Sequence, residues 1–357
     1  MKRVIAVIFT VLLVSTIVFG GCTKTTVPAE APPEEKVKAI EWRFCSFIPP
    51  FDCFAIDAEK WADDLEAATG GRMKVTFYWS ESLVKMAGLF DAVGSGTADI
   101  GMVSTSPYPE RFKLNFIAYL PMVFNDPSQT GQSLMALHEK YKEMTDQWLP
   151  CRVVWYQNPG PADIFSTFPV KTLEDLKGHK IQASPKMEVL AWNALGMTVV
   201  PLMVTETYQA LETGVVEASS GDFNQMYLWK LYEVTEYRCG NTIGTMRGFP
   251  TLMNIVAYDK LPWDVKREFD KLTDPMEYTK RNNEGWEKFN AETTLKIQEY
   301  DKEQGNPEFY FLPDAERERW KEVIWPLVDG WAEEMEATGL PGRAILDDAI
   351  AFAAQYK

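Results

Sequence analysis

The chain of 357 residues contains only two histidines and five cysteines, so it is poor in the residues that zinc enzymes and disulfide-rich scaffolds need. Positive charge is also scarce. Lys and Arg number 36 against 51 Asp and Glu, which gives a formal net charge of -15. Because nucleic-acid binding needs clustered Lys and Arg, we expect no nucleic-acid partner.

Catalytic motifs are missing as well. The sequence has no Walker loop, no GxGxxG after a predicted strand, no GxSxG elbow and no HExxH. His138 and His179 are far apart in the sequence, and we interpret both as surface or capping residues. We therefore predict no catalytic residue, no metal site and no cofactor, and we expect that the protein is not an enzyme.

Four cysteines follow the N-terminal region and allow either two disulfides or none. Three of them fall in or beside apolar predicted strands, which favours buried free thiols. The four are Cys45, Cys53, Cys151 and Cys239.

The N-terminus has the pattern of an export signal. Lys2 and Arg3 precede an uncharged run over 4–19, and two glycines and Cys22 follow this run. The block VFGGC resembles a bacterial lipobox, so we predict a signal peptide over 1–21 and lipidation of Cys22. Simple secretion and a single-span anchor are the alternatives.

Residues 22–39 contain three prolines and hardly any large apolar side chain, which indicates a flexible tether. The predicted location is therefore outside the cytoplasm, in the periplasm or at the cell surface, with the protein held to a membrane through Cys22.

Beyond the tether, hydrophobic runs of strand and helix type alternate. The first set comprises strands at 40–45, 73–78 and 100–103, helices at 54–68 and 84–93, and a longer helix at 128–146. Such alternation is typical of βαβ units with a parallel sheet.

A second set of short strands and helices begins near residue 152, and four helices complete the chain at 262–273, 276–303, 314–338 and 343–356. We predict a first lobe over 40–150, a second lobe over 151–260 and a helical region over 261–357 that packs across both lobes.

Seven blocks, in this order and at these spacings, resemble the substrate-binding proteins of tripartite ATP-independent periplasmic (TRAP) transporters. They are TGGRMKV at 69–75, VGSGTADIG at 93–101, LPMVF at 120–124, KTLEDLKG at 171–178, ALGMTVVP at 194–201, YQALETGVVE at 208–217 and KLYEV at 230–234.

The resemblance implies an α/β, two-lobed, periplasmic-binding-protein-like (type II) fold with a hinge and long C-terminal helices. It also implies a receptor that captures a small organic solute by lobe closure and delivers it to the membrane subunits of a TRAP permease. We expect a monomer.

The sequence departs from the family at the positions that hold a ligand carboxylate. Gln182 stands where the family usually has an Arg, and Gly221 stands where an Asn is common, with Asp222 beside it. Ser220 aligns with a Glu that binds metal in some members. An amide offers no charge to a carboxylate, so we predict that the ligand is not a simple C4-dicarboxylate and is more bulky or aromatic.

Residues just past the carboxyl ends of the predicted strands are the candidate ligand contacts, because ligands of open parallel sheets bind there. The aromatic candidates are Phe47, Trp79 and Phe223, and the others are Ser104, Asn158, Gln182, Ser184, Gly221, Asp222 and Arg247. Two ligand types stay open: an amine or zwitterion held by Asp222 and aromatic faces, or an aromatic acid whose carboxylate contacts Arg247 or backbone donors.

Two other functions remain as alternatives. The same fold could serve as the ligand-binding sensory component of a signalling system, and a secreted hydrolase with an unrecognised site is the less favoured possibility.

Overall fold

The computed structural model describes residues 39–184 and 186–356. The predicted signal peptide, Cys22 and nearly all of the predicted tether lie outside the described residues. Within the described part of the chain, no helix is both long and apolar enough to span a membrane.

The described residues form two β-sheets. The strands are β1 (Ile40–Cys45), β2 (Met73–Tyr78), β3 (Ile100–Met102), β4 (Cys151–Gln157), β5 (Asp163–Ser166), β6 (Lys180–Gln182), β7 (Thr198–Val200), β8 (Ala218–Gly221), β9 (Tyr237–Gly240), β10 (Phe249–Asn254) and β11 (Tyr310–Phe311).

Helices cover both sheets. They are α1 (Cys53–Ala68), α2 (Leu89–Gly94), α3 (Pro127–Lys140), α4 (Lys142–Asp146), α5 (Lys186–Ala194), α6 (Val204–Glu212), α7 (Phe223–Leu228), α8 (Ile255–Asp259), α9 (Trp263–Leu272), α10 (Pro275–Gln304), α11 (Asp314–Ala337) and α12 (Gly342–Gln355).

The first sheet has the strand order β2-β1-β3-β10-β4. Strands β1, β2 and β3 are parallel, and β10 runs antiparallel to both β3 and β4. The carboxyl ends of β1, β2, β3 and β4 therefore lie at one edge of the sheet, together with the start of β10. We call this sheet and the elements packed on it the first lobe.

The second sheet has the order β11-β9-β5-β8-β6-β7 and forms the second lobe. Strands β6, β7 and β8 are parallel, whereas β5 is antiparallel to β8 and β9. The predicted α/β class and two-lobed architecture are confirmed, although both sheets are mixed and not purely parallel.

The lobe bounds differ from those expected. Strands β4 and β10 lie in the first sheet, although the predicted second lobe, 151–260, includes both. The chain returns to the first sheet with β4, builds most of the second sheet, and returns again with β10. The alternation of strands and helices along a sequence does not indicate which sheet a strand joins. It therefore cannot predict that the chain returns to the first sheet at β4 and β10.

The predicted helix over 128–146 is also divided. Helices α3 and α4 are separated at Tyr141, whose backbone is extended (φ -115°, ψ 102°) and whose hydroxyl donates a hydrogen bond to Asp348 in α12. A distant contact thus interrupts a segment whose local pattern favours one helix.

Two long helices contribute to the hydrophobic cores of both lobes. In α10, Trp286 packs in a first-lobe core and Ile297 in a second-lobe core. In α11, Trp320 packs against the second lobe and Trp331 against the first. These helices join the lobes in addition to the crossings at β4 and β10.

The four cysteines of the described region are all free thiols, and three of them are buried. Burial raises the pKa of Cys45 and of Cys151 to about 12, so both are protonated at neutral pH.

Candidate functional site

Polar residues follow the strand ends of the first lobe. Ser104 and Thr105 come after β3, Asn158 follows β4, and Arg247 precedes the antiparallel strand β10 that lies between them. Asn158 Nδ2 donates a hydrogen bond to the carbonyl oxygen of Arg247 at 2.9 Å. This bond holds the Arg247 backbone at the edge of the first sheet.

The second lobe contributes two carboxylates from its own strand ends. Glu188 lies in the first turn of α5, after β6, and Asp222 directly follows β8. Asp222 is the N-cap of α7, where its Oδ1 accepts a hydrogen bond from the backbone N–H of Gln225 at 2.9 Å.

These residues form a buried ion cluster, which we call the Arg247 cluster: Arg247, Glu188 and Asp222. Arg247 Nε lies 3.3 Å from Glu188 Oε1, and Nη1 lies 3.2 Å from Asp222 Oδ2. The side chains are 11%, 1% and 5% exposed, respectively. Nη1 also donates to Gln225 Oε1, and Glu188 Oε2 accepts from the Ser220 hydroxyl at 2.8 Å.

The electrostatics of the cluster are set by burial and by mutual attraction. Burial raises the pKa of Glu188 and of Asp222, and the charge of Arg247 opposes both shifts. Burial acts to lower the pKa of Arg247, but the two carboxylates outweigh it and the pKa is raised. Arg247 therefore stays charged, and its charge is shared between two acids.

Two further buried carboxylates lie near the cluster. Asp52, the N-cap of α1 in the first lobe, has its pKa raised to about 6 by burial and by the charge of Asp222. Asp163 in β5 has its pKa raised to about 7, mainly by burial, although Thr242 and Arg317 oppose the shift. Carboxylates from both lobes thus face the same region.

Several buried polar atoms around the cluster have no hydrogen-bond partner among the described residues. They include Tyr119 Oη, Thr105 Oγ1, Asn224 Oδ1 and Thr245 Oγ1. The pKa of Tyr119 is raised, mainly by burial; Thr105, Ser104 and the charge of Arg247 oppose the shift, and Glu188 adds to it. The Tyr119 hydroxyl of the first lobe therefore lies beside the ion cluster. Unpaired polar atoms at such a place are positioned to bind a solute.

Some of the predicted site residues converge at the Arg247 cluster. Asp222 and Arg247 are in direct contact, Asn158 holds the Arg247 backbone, and Ser104 lies near Tyr119. Gly221 directly precedes Asp222, and a side chain there would overlap Gln225, since a Cβ atom at this position would lie 2.6 Å from Gln225 Nε2.

Other predicted residues make structural contacts. Gln182 is buried, its Nε2 donates to the Leu202 carbonyl at 2.9 Å, and its Oε1 accepts from the Ser219 hydroxyl at 2.8 Å. Its amide is thus engaged within the second lobe. Ser184 is exposed.

The aromatic candidates pack against other rings. Trp79 stacks on Phe77, and its Nε1 donates to Glu59 Oε1 at 2.8 Å. Phe223 stacks on Phe309 in a second-lobe core, and Phe47 packs edge-on against Phe249. A role for these rings in ligand contact stays a prediction.

Sequence reasoning did not find Glu188, Asp52, Tyr119 or Asn224. Asp52 and Glu188 do follow the ends of β1 and β6, which is the signal that selected the other candidates. Asn224 is two positions after Asp222. Tyr119 lies in a 3-10 helix, Asn115–Tyr119, far along the chain from β3, and no sequence pattern indicates its place.

A separate cavity of about 490 Å³ lies outside this cleft, against α3, α4 and β4. Met135, His138, Trp148 and Arg152 are among its lining residues. None of the residues in the Arg247 cluster lines it. We therefore place the candidate site at the cluster, where polar residues of both lobes converge.

Known proteins resemble this chain over most of its length. The C4-dicarboxylate-binding periplasmic protein DctP of Rhodobacter capsulatus is 26% identical over 324 residues, which cover 87% of this chain and 90% of that protein. A TRAP periplasmic solute-binding protein from Desulfovibrio salexigens has a similar crystal structure, with a TM-score of 0.78 and 26% identity, and the match covers 89% of this chain and 97% of that one.

The fold is also shared with a TRAP solute-binding protein from Rhodoferax ferrireducens solved in complex with copurified benzoate. The TM-score is 0.80 at 21% identity, and the match covers 89% of this chain and 98% of that one. The family model of DctP, described as bacterial extracellular solute-binding protein, family 7, matches residues 45–334. The chain therefore belongs to the DctP family, the solute-binding proteins of TRAP transporters.

Proposed function

We propose that this protein is an extracytoplasmic receptor that binds a small organic solute between its two lobes and passes it to a TRAP membrane permease. The observation that carries the proposal is the Arg247 cluster, in which charged and polar residues of both lobes converge at the strand ends. A cleft between two lobes can close by hinge motion, and solute transfer needs no catalytic group.

For the ligand, we propose a bulky or aromatic solute and not a simple C4-dicarboxylate. Gln182 replaces the usual Arg, so this position has no guanidinium to pair with a ligand carboxylate. The Gln182 amide is itself hydrogen-bonded to the Leu202 carbonyl and the Ser219 hydroxyl. Among the similar proteins, one is named for C4-dicarboxylates and others were solved with benzoate or mandelate. The ligand class thus varies within this fold.

A thermal-shift screen of metabolites tests the proposal, because a ligand that binds only the folded state raises the melting temperature. We expect saturable shifts with at least one bulky or aromatic solute and none with succinate, malate or fumarate. Tight succinate binding would contradict the proposed ligand class, and the absence of any binder would contradict the receptor function.

We also propose that the mature protein is a monomer anchored through a lipidated Cys22. The lipobox-like block and the proline-containing segment after it support this proposal. Mass spectrometry of the membrane fraction should find an acylated N-terminal Cys22. An unmodified N-terminus elsewhere, with the protein free in the medium, would contradict it.

Delivery to a permease predicts contact that depends on the bound solute. Co-purification of the receptor with the permease from membranes should increase when the solute is present. Capture of equal strength with and without the solute would contradict this coupling.

A further inference from the structure

The Arg247 cluster contains more negative than positive charge. One guanidinium faces the carboxylates of Glu188 and Asp222, at 3.3 and 3.2 Å, and all three side chains are largely buried. When all three groups are ionised, the cluster carries a net charge of -1. Burying that charge is unfavourable unless a proton or a further cation compensates it.

The guanidinium is already engaged. Nε donates to Glu188, and Nη1 donates to Asp222 and to Gln225. These contacts with described residues leave only the two N–H groups of Nη2 as further donors. An incoming carboxylate would share Arg247 with two acids that are fixed in place by Ser220 and by the start of α7. An anion therefore adds a third negative charge around one positive charge.

A third buried carboxylate, Asp52, lies near the cluster and belongs to the opposite lobe. Asp52 at the start of α1 lies close enough to Asp222 for the charge of one to act on the other. Each carboxylate caps the N-terminus of a helix with one oxygen. Asp52 accepts a hydrogen bond from the backbone N–H of Phe54, and Asp222 accepts one from the backbone N–H of Gln225. Two like charges thus lie near each other, and of the two only Asp222 forms an ion pair among the described residues, with Arg247.

The unpaired polar atoms named above, around the cluster, are oxygen atoms. Asn224 Oδ1 can only accept a hydrogen bond, and Tyr119 Oη and Thr105 Oγ1 can accept or donate. All three are buried, and Tyr119 lies beside Arg247 and Glu188. These acceptors suit a ligand that brings several N–H donors, such as an ammonium group.

We propose that the solute bound in this cleft carries a positively charged nitrogen, as an organic cation or a zwitterion, and that Asp222 and Asp52 bind this charge from the two lobes. The inference rests on the proposed receptor function and specifies the chemical class of its solute. A zwitterion would place its carboxylate on the free donors of Arg247.

The first test is a thermal-shift screen in EDTA with three groups of probes that share similar aromatic bodies. The cations include phenethylamine and tyramine, the zwitterions include phenylalanine and phenylglycine, and the anions include benzoate and phenylpropionate. EDTA removes multivalent metal ions, so a divalent metal cannot supply the positive charge in place of the probe. The same three charge classes of non-aromatic metabolites complete the screen.

We expect the binders to be cations or zwitterions. Binding by anions alone would overturn this inference and leave the receptor function intact. No binding in any class would overturn the receptor function, and this inference with it.

The second test uses Asp222→Asn and Asp52→Asn, with calorimetry on the strongest binder from the screen. Asn also caps helices well, so both variants keep their helix starts and lose the carboxylate charge, and Asp222→Asn also loses the ion pair with Arg247. We expect each to bind the probe about tenfold or more weakly, as for loss of a charged hydrogen bond.

The matched control is Asp264→Asn. Asp264 lies on α9, away from the Arg247 cluster, and its carboxylate pairs with Arg72. This variant should bind the probe like the wild type. If Asp222→Asn and Asp52→Asn also bind it with unchanged affinity, the proposed charge recognition is wrong even though the protein is a receptor.

Discussion

His138 lies in α3 with its ring enclosed by Asn115, Trp148 and Tyr156. Its Nε2 is 2.8 Å from Asn115 Oδ1 and 3.0 Å from the Tyr156 hydroxyl. The sequence-based interpretation of His138 as a surface or capping residue is wrong, because α3 packs against β4, α10 and α12 on several sides and leaves this position almost no contact with solvent.

Burial lowers the pKa of His138 to about 3, so the folded protein keeps the ring neutral while the unfolded chain binds a proton near pH 6.5. Its contribution to stability is therefore fully present above pH 6.5 and is lost as the pH falls toward 3. The slope approaches about 1.4 kcal/mol per pH unit.

His138→Gln keeps a donor for Asn115 but cannot titrate. We expect the free energy of unfolding of the wild type, measured with urea, to fall faster than that of the variant as the pH is lowered from 6.5 to 3. The stability advantage of the wild type over the variant should therefore narrow or reverse. Curves that stay parallel through this range would contradict a neutral buried ring.

At the scale of elements, α10 packs against the backbone that leaves β4. A Cβ atom on Gly160 would lie 2.3 Å from the Trp286 ring of α10, which is buried in the first-lobe core. Gly160→Ala should therefore destabilise the protein by about 1–3 kcal/mol, the usual cost of overpacking.

The matched control lies in the helix that Gly160 faces. A Cβ atom on Gly285 would meet no other atom within 4 Å, so Gly285→Ala should stabilise the protein by about 0.5–1 kcal/mol through helix propensity. Chemical denaturation of both variants measures the contrast. Equal effects of the two changes would contradict the packing described here.

A buried ion pair joins α10 to the second sheet. Arg238 Nη2 in β9 lies 2.9 Å from Asp301 Oδ1, and both side chains are almost fully buried. Removing one partner of such a pair leaves an uncompensated charge, so Asp301→Ala should cost about 3–5 kcal/mol.

The exposed pair Lys60–Asp64 on α1 provides the comparison. Asp64→Ala should leave the melting temperature nearly unchanged, because solvent screens exposed charges. If Asp301→Ala unfolds at the same temperature as Asp64→Ala, the buried pair does not tie α10 to the second lobe.

Elements with strong periodicity were predictable from the sequence. The bounds of β1 and β2 agree with the predicted strands, and α10 and α11 agree within one residue at each end. Strands β5, β9, β10 and β11 were missed. Three of them have four residues or fewer, and β10 contains Pro250, so the local sequence pattern is weak there.

The site was partly predictable for a related reason. Asp222 and Arg247 were selected as candidates, but their pairing with Glu188 was not foreseen. That contact joins α5, the end of β8 and the segment before β10, and such long-range packing leaves no periodic trace in the chain. Gln182 was expected in the cleft, but its amide bonds within the second lobe.

At the scale of the whole molecule, two lobes are linked by the crossings at β4 and β10 and by α10 and α11. We expect capture of a solute by lobe closure to bend the protein at these connections. A protein of this size has a radius of gyration of about 20 Å when compact, and an open cleft makes it larger.

Small-angle X-ray scattering with and without the strongest binder of the screen tests the receptor account most directly. We predict that the radius of gyration falls as the binder is added and stays constant once calorimetry shows saturation. A radius of gyration that is unchanged at saturation would contradict capture of a solute by lobe closure.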